Sequence, residues 1–246
     1  MPNRKWRGVG ALAIALGVWQ FVGALPSAWA GAGTCFGQEP TIVGTEGDDF
    51  IVGTREADVI MSLGGGDEIY ALKGSDRVCA GDGNDYVLSS SGNDQVSGGT
   101  GSDELREDGE GNDTLLGEGG NDVLAGGWGD DLVDGGTGND TADFYGNGPI
   151  GVTVDLVAER SEGADGTDAI LGFENVEGST GDDAILGTAG PNVLTGGSGD
   201  DVIKGRAGDD LLDGGSGDPD VYVDRLIGGA GTDTCLQGEM VRGCEA

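Results

Sequence analysis

Carboxylates recur in this chain at a fixed interval. Asp49, Asp58, Asp67, Asp76, Asp85, Asp94 and Asp103 fall nine residues apart, and after one extra residue near Glu107 the interval resumes through Asp113, Asp122, Asp131 and Asp140. Each aspartate holds the sixth place of a nine-residue repeat. Gly98-Gly99-Thr100-Gly101-Ser102-Asp103-Glu104-Leu105-Arg106 is a clean copy, with glycines at places one, two and four and an aliphatic residue at place eight. Carboxylate oxygens beside glycine-rich peptide carbonyls are the donor set of a hard, oxygen-seeking cation, and calcium accepts six to eight such ligands in tolerant geometry.

The rest of the repeat must position those oxygens. Its first six residues, rich in Gly, Asn and Asp, have the chemistry of a tight turn. Its last three suit a very short strand, in which the eighth residue points one way and the seventh and ninth the other. Two repeats then make one closed coil of 18 residues. The eighth places read Ile51, Ile60, Ile69, Val78, Val87, Val96, Leu105, Leu115, Leu124 and Val133, with Ala142 the weak member. Stacked coils would place this thin aliphatic ladder between two parallel sheets, so the predicted fold class is all-β, a parallel β-roll or β-solenoid of nonapeptide repeats.

Repeats two apart share a side of such a solenoid. Asp85 should therefore lie against Asp103, Asp103 against Asp122, and Asp113 against Asp131. Carboxylates about 4.8 Å apart repel by roughly 3–4 kcal/mol at an effective dielectric of 20. A cation between them converts that penalty into ligation, which would couple binding to folding.

The eleven copies of residues 44–143 form a first block. Residues 178–236 form a second, with Asp183, Asn192, Asp201 and Asp210, a stretched copy ending in Asp220, and an isolated copy placing Asp233 sixth. Between them, residues 144–177 break the repeat. Val152–Leu156 and Ile170–Val176 read as strands of a connector or wider coil. Residues 31–43 are a lead-in cap and 237–246 a C-terminal cap.

Composition excludes several other classes. Glycine contributes 54 of 246 residues and aromatics only 5%, so a large packed core is not expected. A formal net charge of −33 speaks against nucleic-acid binding and favours the disordered state by self-repulsion unless counter-charge is supplied. Permanent disorder conflicts with aliphatic residues held in phase with aspartates for 90 residues or so. The chain has no histidine, which removes an HExxH zinc site and any histidine-dependent triad. The acidic pairs Asp130-Asp131, Asp200-Asp201 and Asp209-Asp210 belong to the repeat, so an enzyme is not expected. The alternative is a carbohydrate-active enzyme or accessory module working through carboxylates.

Arg4, Lys5 and Arg7 precede an apolar run from Val9 to Leu25, and Ala28-Trp29-Ala30 offers a small-x-small cleavage site. Residues 1–30 thus read as a secretory signal peptide, with no membrane span after its removal. Four cysteines fit an exported chain. Cys235 and Cys244 close a short loop. Cys35 and Cys79 lie about two and a half coils apart, or about 12 Å along the axis, against a limit near 7 Å between bridged Cα atoms. That bridge requires the stretch before Gly44 to fold back along the solenoid.

The repeat resembles the RTX, or hemolysin-type, calcium-binding repeat proteins, whose consensus is Gly-Gly-x-Gly-x-Asp-x-aliphatic-x. The lead-in Cys35-Phe36-Gly37, Pro40–Thr45 and the closing Gly229–Cys235 are similar to a secreted actinobacterial branch. The resemblance implies a β-roll holding several Ca2+ ions between turns one coil apart. The implied metal ligands are Asp49, Asp67, Asp76, Asp85, Asp94, Asp103, Asp113, Asp122, Asp131, Asp140, Asp183, Asp201, Asp210 and Asp220, with turn carbonyls completing each site. Copies at Gly53 and Ser62 lack some glycines and Asn192 replaces an aspartate, so weak or empty sites are expected there. Ala80–Asp143 and Gly196–Asp213 are the better copies. The implied setting is extracellular, with a structural or adhesive role and partners among cell-envelope glycans or extracellular proteins. Trp128, Tyr70, Tyr86 and Tyr222 are the few aromatics such a surface could offer.

Overall fold

A computed structural model describes residues 33–163, 166–215, 224–238 and 240–244. The expected signal peptide, Asp220 and Tyr222 lie outside the described residues. The chain winds as an alternation of short strand and turn that builds two sheets, one of 14 strands and one of 10. Successive repeats alternate between the sheets, and within the repeat blocks strands pair in parallel with the strand two repeats on. Ile60 pairs with Val78 and Val78 with Val96 on one sheet, while Ile69 pairs with Val87 and Val87 with Leu105 on the other. The expected two-repeat coil and its parallel register are therefore present.

The period-two alternation of a strand explains the core. Seventh- and ninth-place residues face outward, and the eighth-place residues meet between the sheets as one continuous cluster running from Ile42 to Leu226. Ile60, Ile69, Val78, Val87, Leu105 and Leu115 have no exposed surface. Even Ala142 is 2% exposed, its small volume complemented by Phe144 in the same cluster.

Residues 144–177 do not leave the solenoid. Thr153–Asp155 and Arg160–Glu162 form an antiparallel pair that extends to Thr167–Leu171, and this three-stranded insert lies within the 14-stranded sheet. Thr153–Asp155 then pairs in parallel with Ala184–Leu186, which carries the coil onward. The stretch from Ile170 to Val176 is not one strand, as its alternation suggested. Gly172, at φ +72°, turns the chain so that Thr167–Leu171 joins one sheet and Asn175–Glu177 the other. Among the described residues the only helical segment is the 3-10 turn Tyr145–Asn147, and no helix is long and apolar enough to cross a membrane.

The lead-in does fold back. A Cys35–Gln38 bridge turns it, Ile42–Val43 pairs with Val59–Met61, and Cys35 reaches Cys79 with Cα atoms 5.7 Å apart in a disulfide. Cys79 faces outward as a ninth-place residue, so the lead-in runs over the outer face of the sheet. Cys235 and Cys244 form the second disulfide at a Cα separation of 5.8 Å.

Candidate metal-binding turns

The sixth-place aspartates stack in two columns, one along each edge of the roll. From Asp67 to Asp131, one oxygen of each carboxylate receives the backbone N–H of the aspartate one coil earlier. Asp85 donates to Oδ1 of Asp103 at 2.9 Å, Asp103 to Asp122 at 2.8 Å and Asp122 to Asp140 at 2.9 Å. In the other column Asp76 donates to Asp94, Asp94 to Asp113 and Asp113 to Asp131, at 2.7 to 2.8 Å. The three stackings expected from the spacing are all present. A parallel ladder outside it links the fifth places, where Asn84 accepts from Ser102, Asn93 from Asn112 and Asn121 from Asn139.

The second oxygen tells more. Oδ2 of Asp67, Asp76, Asp85, Asp94, Asp103, Asp113, Asp122, Asp140, Asp201, Asp210 and Asp233 is buried and accepts no hydrogen bond. A buried acceptor left without a donor costs about 1–3 kcal/mol, and more when charged. Burial raises the carboxyls of this row from Asp67 to Asp210, only partly offset by the N–H from the preceding coil. Asp76, Asp85, Asp94, Asp113 and Asp140 are pushed up to about 6, and Asp103 and Asp201 to about 7. Neighbouring aspartates one coil away add to the rise at Asp76, Asp85 and Asp103.

Backbone conformation at the glycines completes the site. In most of these repeats places two and four are left-handed: Gly81 and Gly83 lie at φ +110° and +138°, Gly99 and Gly101 at +108° and +132°. Leu63, Leu72, Glu118 and Arg206 adopt the same hand at place two, an uncommon state for side chains of that size. The fourth-place turns then nest so closely that a Cβ on Gly101 would stand 1.7 Å from the carbonyl oxygen of Gly83, and one on Gly120 1.5 Å from that of Gly101. Carboxylate oxygens without donors, beside tightly nested peptide carbonyls, suit a cation that takes many oxygen ligands in flexible geometry. No three His, Cys, Asp or Glu side chains among the described residues converge as a ready-made cage. The donor set is one of peptide oxygens plus single carboxylates, which fits calcium better than zinc or magnesium.

A family model of the RTX calcium-binding nonapeptide repeat (4 copies) matches residues 43–78, 73–105, 107–142, 186–221 and 222–236, more than half of the chain. The chain belongs to the RTX calcium-binding repeat family. A comparison with curated proteins returned no match. Its stacked, aspartate-rich turns are thus those of calcium-binding RTX repeats.

Sequence spacing places most of this RTX site, though not all of it. The column position above Asp201 is filled by Asp224, 23 residues on, whose Oδ1 accepts the Asp201 N–H at 3.0 Å. Asp220 was expected in that role. Through the insert, Asp168 accepts from Asp131 at 3.1 Å and Glu174 from Asp140 at 3.0 Å. Asp168 has Gly163 and Gly166 at places one and four before it and the buried Ile170 at place eight, a copy of the repeat that the nine-residue count passes over, whereas Asp224 has no glycine motif and only the buried Leu226 two residues later marks it. Asp49 and Asp183, expected as ligands like the rest, have donors within their own turns: Asp49 accepts from Thr45 through Oδ2, and Asp183 from Ser179 through both oxygens. Asp67, from a copy expected to be weak, has a bare Oδ2 and the left-handed second place of the regular turns.

Proposed function

We propose that this protein is an exported calcium-stabilised rod, in which ions bound between stacked turns complete the fold and the outer sheet faces serve an extracellular structural or adhesive role. The row of buried, donor-less Oδ2 atoms carries this reading. It leaves the fold with a repeated electrostatic penalty that calcium relieves, so binding and folding become one event. Two disulfides support an oxidising compartment.

Acidic pairs that could have served as an acid and a base are absorbed by the roll. Asp131, Asp201 and Asp210 are buried in the columns. Their neighbours Asp130 and Asp209 accept backbone N–H groups from the next coil, at 3.0 and 2.8 Å. This employment favours a structural role for them over hydrolysis. The aromatics supply one surface feature for adhesion. Phe50, Tyr70 and Tyr86 are not scattered but form a row on the outer face of the 10-stranded sheet, with ring centroids 5.7 and 6.0 Å apart.

Circular dichroism of the chain from residue 31 onward tests the coupling. The expected result is a gain of β signal with millimolar calcium over EGTA, and little gain with magnesium, whose rigid octahedral demand suits carbonyl-rich turns poorly. Equal spectra in calcium and EGTA would remove the basis for it. A glycan array separates adhesion from hydrolysis of chromogenic sugars.

A further inference from the structure

Four repeats are built on a different turn. In the copies at Gly44, Gly53, Gly178 and Gly187, neither place two nor place four is left-handed, a state shared by Gly109 and Gly111 of the Asp113 copy, so what sets the four apart is the hydrogen bonding at place two. Place two is Thr45, Thr54, Ser179 or Thr188, and its backbone N–H and hydroxyl both donate to the sixth-place side chain of the same turn. Thr45 reaches Oδ2 of Asp49 at 2.6 and 2.9 Å, and Thr54 that of Asp58 at 2.6 and 2.8 Å. The N–H of Ser179 donates to Oδ2 of Asp183 at 2.7 Å and its hydroxyl to Oδ1 at 2.8 Å. Thr188 makes the same contacts with Asn192 at 2.7 and 3.2 Å. The fourth-place N–H closes the turn onto the hydroxyl, from Gly47, Glu56, Gly181 and Gly190. None of these four sixth-place side chains has the buried, donor-less oxygen of the open turns. A second-place hydroxyl alone does not suffice, since Ser90 makes no such contact and Asp94 keeps its bare oxygen.

The positions of these closed turns are not random. Residues 44–61 are the first two repeats of the first block and 178–195 the first two of the second, and two repeats are one complete coil. Each of these coils also has an anchor that owes nothing to a cation. The first lies inside the loop closed by Cys35–Cys79. The second stacks on the insert, with Thr153–Asp155 paired to Ala184–Leu186 and Val152 donating to Asp183 at 2.7 Å.

We propose that residues 44–61 and 178–195 are starter coils that bind no calcium, fold without it, and present a finished sheet edge on which the calcium-dependent coils of each block assemble. The second-place hydroxyl does in these turns what the ion does in the others. Asp49 and Asp183 accordingly serve as acceptors within their own turns and not as metal ligands. The inference rests on the calcium coupling proposed above, and deepens it by dividing the turns into two kinds.

Hydrogen exchange of the full mature chain, read by peptide in EGTA and in calcium, tests it. In EGTA, amides of 44–61 and 178–195 should exchange at least about tenfold more slowly than those of 80–143, and calcium should then protect 80–143. Thr45→Val with Thr54→Val should abolish the EGTA protection of 44–61, leave 178–195 protected and leave the number of bound calcium ions, counted by equilibrium dialysis, unchanged. Asp58→Asn should also leave that number unchanged. Uniform fast exchange of the whole chain in EGTA, or a lower ion count in Asp58→Asn, overturns the starter coils. If instead calcium protects nothing in 80–143 while both starters remain protected, the calcium coupling falls and the division of turns stands.

Discussion

The backbone N–H of Asp85 donates to one carboxylate oxygen of Asp103, 18 residues on, while the other oxygen of Asp103 is buried with no donor. Half of that side chain therefore holds two coils in register and half carries the donor-less oxygen on which the proposed ion site rests. Asp103→Asn keeps an oxygen for Asp85 and removes the negative charge at the bare position. It should weaken calcium binding at that turn by roughly tenfold, about 1.4 kcal/mol, in a calorimetric titration. Asp58→Asn, in a turn closed by Thr54, should leave the titration unchanged.

Acid should partly replace calcium. Burial pushes the carboxyls of Asp85 and Asp103 up to about 6 and about 7 in the folded chain, against an ordinary 3.8. A carboxyl raised by folding contributes stability that is complete below its unfolded value and is lost as pH climbs through the folded one. The calcium-free roll should therefore gain β signal as pH falls from about 8 to 5. Calcium-loaded protein should show the reverse, releasing ions as the carboxylates protonate. Circular dichroism at fixed EGTA or fixed calcium follows both limbs.

The glycines are not equivalent. Gly101 is left-handed and a Cβ there would stand 1.7 Å from the Gly83 carbonyl, whereas a Cβ on Gly47 has nothing within 4 Å. Gly101→Ala should cost about 2–4 kcal/mol through combined backbone strain and crowding. Gly47→Ala should be within about 0.5 kcal/mol of neutral, as for other unremarkable surface changes. Thermal unfolding in saturating calcium compares the two.

Glu107 is an anomaly inside the roll. It stands just before the one-residue slip of the repeat and pairs in register with the much smaller Ser89. It is 6% exposed, neither oxygen has a partner, and burial pushes its carboxyl up to about 10. Glu107→Ser should raise stability by about 1–3 kcal/mol, the cost of an unsatisfied buried polar group, measured as a higher melting temperature at neutral pH.

Much of this was legible because two periods are superposed. The aspartate interval gave the columns, and the aliphatic residue two places later gave the side of the strand that faces inward, so Asp85, Asp103 and Asp122 could be stacked from the sequence alone. What escaped depended on partners that the interval does not encode. Asp49 and Asp103 occupy the same place, yet Thr45 donates to Oδ2 of the first while Oδ2 of the second has no donor. Asp224 and Asp168 lie in their columns because the strands behind them pair there, after loops of irregular length that hide the count. The Cys35–Cys79 bridge needed the path of the lead-in, which depends on Ile42–Val43 joining the sheet edge.

Because one coil is two repeats and each rung of the core touches mainly the rungs beside it, the rod is editable in pairs. Removing an even number of repeats would shorten it by about 4.8 Å per pair and rejoin like with like. Removing a single one would send every downstream strand to the opposite sheet and each carboxylate to the wrong edge, so length variation in such a chain is quantised by parity.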